Sequence, residues 1–248
     1  MSDLLEVRVF PTREEMGLAA ARDVSRTIRK LLQEREEVNV IFAAAPSQND
    51  FMRELIADVS IDWGRINAFH MDEYIGLDKD APQAFGNFLK ERIFNKVPIK
   101  SVHLINGSAK DSEAECRRYA DLLTKFPADI VCCGIGENGH IAFNDPPVAD
   151  FNDPVLVKVV ELEQSCRQQQ VNDNCFLRIE DVPTHAYTLT IPALMRSRHV
   201  FCIVPTELKA QAVYDTINGE VDEKCPASVL REKEGAILYI DEPAASLL

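Results

Sequence analysis

The sequence predicts an α/β fold of three layers, a mainly parallel Rossmann-like sheet with helices on both faces. Three observations carry this. Short apolar runs of strand length stand at Val38 to Ala45, Ile66 to Phe69, Ile130 to Cys133, Val200 to Val204 and Ala236 to Ile240. Amphipathic stretches of helical spacing separate them, the alternation that a parallel sheet covered on both sides needs. The most polar and glycine-rich turns directly follow the strands, at the edge where ligands bind in such sheets.

Each element has a local cause. Thr12 and Glu15 form a capping-box pair. Met16, Ala19, Ala20, Val24, Ile28, Leu31 and Leu32 then recur at helical spacing. Val38 to Ala45 reads as a buried strand, and Asn49 through Ile56 as the next helix. Ile66 to Phe69 is a strand delivering Asp72-Glu73 into a turn. Ser112 and Glu115 make a second capping box, for a helix ending near Phe126. The strand Ile130 to Cys133 follows. Val200 to Val204, Pro205-Thr206 and a helix through Ile217 repeat the strand–turn–helix theme, and Ala236 to Ile240 closes it. No linker, internal repeat or low-complexity segment interrupts residues 1–248, which read as a single domain.

Composition excludes several classes. A formal net charge of −13 disfavours nucleic acid and anionic membrane as partners. No apolar run reaches the roughly 20 residues that span a bilayer. The start, Met1-Ser2-Asp3-Leu4, lacks the basic and apolar regions of a signal peptide. Seven cysteines without CxxC spacing suit reduced thiols in a cytoplasmic protein. Adjacent Cys132 and Cys133 read as small buried hydrophobes.

The chemistry concentrates in Gly134-Ile135-Gly136-Glu137-Asn138-Gly139-His140-Ile141-Ala142-Phe143-Asn144-Asp145. Glycines such as Gly136 and Gly139 let the backbone turn sharply and approach a ligand closely. His140 suits proton transfer near neutrality, and Asp145 stands five residues on. A lone histidine is usually structural, and an acidic pair such as Asp72-Glu73 usually caps a loop; the glycine context reverses the first preference, and the glycine–histidine run reverses the second. The five histidines are dispersed without HxxxH spacing, so no metal is expected. The run from Gly134 to Gly139 mimics a dinucleotide fingerprint, but Pro146 and Pro147 follow too closely for a helix. No organic cofactor is expected either.

His70-Met71-Asp72-Glu73-Tyr74-Ile75-Gly76-Leu77 and the Gly134 to Asp145 run, in this order and separation, resemble the glucosamine-6-phosphate deaminase/isomerase family. Ala114-Glu115-Cys116-Arg117, Leu208-Lys209-Ala210 and Asp241-Glu242-Pro243 extend the likeness over most of the chain. The resemblance implies an amino-sugar phosphate isomerase/deaminase, taking glucosamine 6-phosphate to fructose 6-phosphate and ammonia. It implies Asp72 as the base that moves a proton between neighbouring carbons, and His140 as the acid/base that opens the sugar ring. Asp145 and Asn138 would orient that ring. Ser47, Gln48, Asn49, Glu73, Gly136, Gly139 and Lys209 would bind substrate, Lys209 through its phosphate. It also implies a homo-oligomer.

The chain departs from the family pattern at four places. Asp145 replaces a glutamate, an arm one methylene shorter, which loosens contact with His140. Asn138 replaces an aspartate, and an amide orients the ring but supplies no charge. Ser47-Gln48-Asn49-Asp50 replaces a glycine-rich phosphate cradle, and Asp50 would repel a phosphate. A family arginine is replaced by Cys175, with Arg167 and Arg178 as substitutes by proximity alone. The stretch Val148 to Asp153 lacks the basic cluster needed for control by an N-acetylated sugar phosphate, so no such activation is expected.

Two other readings stay open. One is an isomerase or lactonase for a different sugar phosphate, since 6-phosphogluconolactonases share the Gly-x-Gly-x-x-Gly-His loop. The other is a non-catalytic sugar-binding regulatory protein on the same scaffold. Asn138, Asp50 and the missing glycines favour it; Asp72, His140 and Asp145 oppose it.

Overall fold

A computed structural model describes residues 4–248; Met1 to Asp3, most of the start considered above for a leader, lie outside the described residues. In chain order, β1 (Glu6–Phe10), α1 (Arg13–Glu34), β2 (Val38–Phe42), α2 (Asn49–Ala57) and β3 (Ile66–His70) come first. Then follow β4 (Asp72–Tyr74), α3 (Phe85–Leu89), β5 (Ser101–His103), α4 (Ser112–Lys125) and β6 (Ile130–Cys133). The rest is β7 (Val157–Glu161), α5 (Gln164–Asn172), β8 (His185–Leu189), α6 (Ile191–Met195), β9 (His199–Val204), α7 (Ala210–Asn218) and β10 (Ala236–Asp241).

Seven strands form one sheet in the order β1-β10-β9-β6-β2-β3-β5, and every pair in it is parallel. The expected α/β architecture is therefore the observed one. Strand alternation divides the core in two. Val38, Val40, Phe42, Cys132, Phe201 and Ile203 face α1 and α2. Ile41, Val131, Cys133, Cys202 and Val204 face α4 and α7 on the other side. Met16, Val24 and Ile28 of α1 are fully buried, each contributing about 1.5–3 kcal/mol of apolar transfer.

A second sheet escaped the sequence reading. Strands β4, β8 and β7 pair antiparallel, so Asp72-Glu73-Tyr74 is a strand and not a turn. Only Met71 separates it from β3, and the Met71 carbonyl accepts the Leu189 N–H at 2.8 Å. His70, at the joint, is fully buried. Its Nε2 accepts the Ile105 N–H at 2.8 Å, and Tyr119 Oη donates to its carbonyl at 2.9 Å.

Helix starts follow the sequence once and depart once. Thr12 caps α1 through the Glu15 N–H, as the first capping pair requires. The second helix start shifts: Asp111, not Ser112, is the N-cap, accepting from the Ala114 N–H. Glu115 instead takes the Asn106 N–H and pairs with Arg118. Among the described residues, no helix is long and apolar enough to cross a membrane.

Candidate active site

Parallel strands deliver the segments that follow them to one edge, and the loops after β2, β6 and β9 meet there with β4, which continues from β3, around one cavity. Ser47, Asp72, Gly136, His140 and Lys209 line it. Three loops and the start of β4 thus share a single space.

Asp72 enters the cavity from β4 with 7 % of its surface exposed. Burial, reinforced by neighbouring Glu73, raises its pKa well above the usual carboxylate range. Glu73 does not line the cavity. Successive strand residues point to opposite faces. The Glu73 carboxylate therefore turns into the protein and accepts the N–H groups of Tyr74, Phe85 and Gly86. Burial pushes it up to about 7 against the pull of these bonds. Its expected contact with substrate gives way to a structural clamp.

His140 stands on the loop after β6. A Cβ at Gly136 would lie 2.1 Å from the ring's Cε1, so only glycine lets the imidazole lie there. Gly139 has φ +84° and packs against Cys225, turning the chain without reaching the cavity. The loop is braced on β8. Thr188 Oγ1 accepts the Phe143 N–H at 3.1 Å, and the Asn144 amide donates to the Leu189 carbonyl at 2.8 Å.

Behind the ring, His140 Nδ1 lies 2.7 Å from Asn138 Oδ1 and 3.0 Å from Asp145 Oδ1. The shorter carboxylate arm has not loosened the contact, because Asp145 is 1 % exposed and packed against the ring. Burial opposes ionisation of Asp145, but the bonds from His140 and Asn138 hold it below its ordinary pKa. Acceptors at Nδ1 leave Nε2 as the ring's free proton-transfer atom.

The phosphate end differs from expectation. Proline opens a 3-10 turn over Pro46–Gln48, which rotates successive side chains apart. Ser47 faces the cavity, whereas Gln48 is fully buried and donates to the Ile203 carbonyl at 3.0 Å. Asn49 also leaves the cavity, its side-chain oxygen accepting from Arg92. Asp50 is not a free repulsive charge: Arg13 and Arg53 both pair with it. Burial works against ionisation of Asp50, and these two guanidinium groups still hold its pKa down.

Lys209 is 6 % exposed, lines the cavity, and its amine has no hydrogen-bond partner among the described residues. Burial lowers its pKa, with Asp173 and Glu137 pulling the other way. An unpartnered buried ammonium is costly, and an anion in the cavity would relieve it. Neither arginine named as a substitute lines this cavity. Arg167 donates to the Ile179 and Val182 carbonyls, and Arg178 pairs with Asp181 at the surface.

Several cavity residues carried no local signal. Arg13 from the first turn of α1, and Gln169, Gln170 and Asp173 from around α5, complete the wall. Thr206 does so too, at φ +83°, a strained conformation held by its N–H on Asp241 Oδ1 at 2.9 Å. His140, Asp145 and Cys166 set their ligand atoms within 4.8 Å of one another. A group of that kind can hold a divalent cation, and no CxxC or HxxxH spacing announces it.

The family model for "Glucosamine-6-phosphate isomerases/6-phosphogluconolactonase" matches residues 11–239. A glucosamine-6-phosphate deaminase of Listeria monocytogenes is 38% identical over 234 residues, 94% of this chain and 97% of that one. One from Bacillus cereus is 34% identical over 243 residues, 98% of this chain and 89% of that one. A solved structure described as a monomeric glucosamine-6-phosphate deaminase superposes with TM-score 0.89 at 32% identity, over 98% of this chain and all of that one. A 6-phosphogluconolactonase of Thermotoga maritima gives TM-score 0.76 at 20% identity, over 96% of this chain and 99% of that one, a likeness of fold.

Proposed function

The chain belongs to the glucosamine-6-phosphate isomerase/6-phosphogluconolactonase family, and on that premise we propose that it converts glucosamine 6-phosphate and water to fructose 6-phosphate and ammonia. The observation that carries this reading is the convergence of Asp72, His140 and the unpartnered Lys209 amine on one cavity.

In this reading His140 moves a proton from the C1 hydroxyl to the ring oxygen, which breaks the C1–O5 bond and frees a C1 aldehyde. Asp72 then takes the proton from C2 and returns it to C1. O1 gains a proton as the electron pair released at C2 forms the enolamine, and the nitrogen gives one up as C1 is protonated, leaving a ketimine at C2 and a hydroxymethyl group at C1. Water adds to the ketimine carbon and ammonia leaves. A desolvated carboxylate is a stronger base than a solvated one, which suits Asp72 to removing a carbon-bound proton. Lys209 meets the phosphate, with the Ser47 hydroxyl at the same wall. Asp145 and Asn138 hold the His140 ring.

The finer points follow as parts of the proposal. Seven thiols, none of them in a disulfide, fit a reducing cytoplasm. The chain acts as one domain. A homo-oligomer was the family expectation; the neighbour described as monomeric supports a single subunit as the active form. Light scattering of the purified protein decides between the two.

The test is release of ammonia and fructose 6-phosphate from glucosamine 6-phosphate, with Asp72→Asn as control and 6-phosphogluconolactone as the competing substrate. Turnover that disappears in the folded Asp72→Asn protein supports the proposal. A folded parent that is silent on the amino sugar, or hydrolyses the lactone instead, overturns it.

A further inference from the structure

Asn138 connects two charged groups to one ring. Its amide nitrogen donates to Asp145 Oδ1 at 2.9 Å and to Glu163 Oε2 at 3.0 Å. Carboxylates only accept, so the amide oxygen must face the imidazole, where it lies 2.7 Å from His140 Nδ1. Glu163 stands at the N-cap position of α5, yet its side chain makes no capping bond to that helix. Ser165 Oγ donates to the same Oε2 at 2.9 Å and fixes its aim. The carboxylate is thus directed away from its own helix and toward Asn138.

We propose that Glu163 is a positioning residue of the active site, holding Asn138 so that its amide oxygen orients the His140 ring. A carboxylate on the amide nitrogen polarises the amide, and its oxygen becomes a better acceptor for the ring N–H. The inference rests on His140 acting as the ring-opening acid/base. Other groups also face the ring: Asp145 from its own loop, Cys166 from α5, and Asp72 and Lys209 around the cavity. Glu163 differs from all of them in reaching the ring only through an amide.

Glu163→Gln keeps an acceptor for Asn138 and removes the charge; Glu163→Asp keeps the charge. The Nδ1–H proton of His140, followed by NMR in the free protein at one fixed pH, should move upfield in the Gln variant as its bond to Asn138 weakens, and kcat should fall about threefold with KM unchanged. The Asp variant should restore both. An unmoved proton resonance in folded Glu163→Gln overturns the proposal, whatever substrate the enzyme turns over. A moved resonance in a protein that never releases ammonia supports Glu163 and removes the proposed reaction instead.

A second pair of variants tests the same idea by compensation. Asn138→Asp places a third carboxylate between Asp145 and Glu163, a like-charge cluster that should depress kcat. Adding Glu163→Gln should recover about tenfold of that loss. Losses that simply multiply overturn the proposal.

Discussion

The carboxylate of Glu73 accepts the Gly86 N–H at 2.8 Å, so the acid beside Asp72 serves the scaffold while Asp72 serves the cavity. Its other oxygen takes the N–H groups of Tyr74 and Phe85, both at 2.9 Å. Phe85 lines the cavity, and Glu73 therefore holds one wall of it. Glu73→Ala strands three buried donors and should cost about 2–4 kcal/mol in urea unfolding. KM should rise as the Phe85 wall loosens. A variant as stable as the parent would show the clamp to be idle.

Lys209 should trade stability for binding. Lys209→Met keeps the apolar stem and removes an amine without a hydrogen-bond partner among the described residues, so the free protein should gain about 1 kcal/mol. KM for the sugar phosphate should rise about tenfold or more. Thermal melts with inorganic phosphate check the assignment: phosphate should raise the parent's Tm and leave the variant's unchanged.

Asp145→Asn should damage catalysis far more than folding. The amide retains the volume but loses the charge that faces His140 Nδ1 at 3.0 Å. On the pattern of other histidine–carboxylate pairs, kcat should fall by about 10²–10⁴. Single-turnover rates beside an unfolding curve separate the two effects. An equal loss in both would make Asp145 a structural residue only.

His70 should make the fold sensitive to acid. Burial, aided by the Lys90 charge, lowers its pKa from 6.5 to about 3, and its Nε2 accepts the Ile105 N–H in the neutral form. The unfolded chain takes up this proton below pH 6.5, whereas the folded chain resists it until about pH 3. The stability this group contributes is therefore complete above pH 6.5 and declines as pH falls toward 3. Its slope is about 1.4 kcal/mol per pH unit. His70→Gln should remove that slope, so the difference in unfolding free energy between the two proteins should shrink as pH falls. A difference independent of pH would contradict the assignment.

The five inner strands of the large sheet were legible because they are buried on both faces and read as largely apolar runs, whereas the edge strands β1 and β5 are part-exposed and carry polar residues. Strands β7 and β8 were not, since Lys158, Glu161 and His185 interrupt them with polar side chains on an open face. Asp72 and His140 stood out by their places after strand-like runs, and Lys209 through the family resemblance. Arg13 and Asp173 were missed because α1 and α5 bring them in from afar, and both look like ordinary polar helix positions. Gln48 and Asn49 were misplaced for a local reason: composition shows that the Ser47 segment is polar, not which side chain a 3-10 turn presents.

Strand β8 does more than complete the small sheet. Thr188 stands opposite Asp72 across the β4 pairing, and its hydroxyl also anchors the His140 loop through Phe143. With β4 tied to β3 by Met71 alone, a slip of one residue along β8 would turn Thr188 away from Asp72 and from the Phe143 N–H, because neighbouring strand positions face opposite ways. An inserted or deleted residue in β8 would then silence the protein with every active-site side chain still present in its sequence.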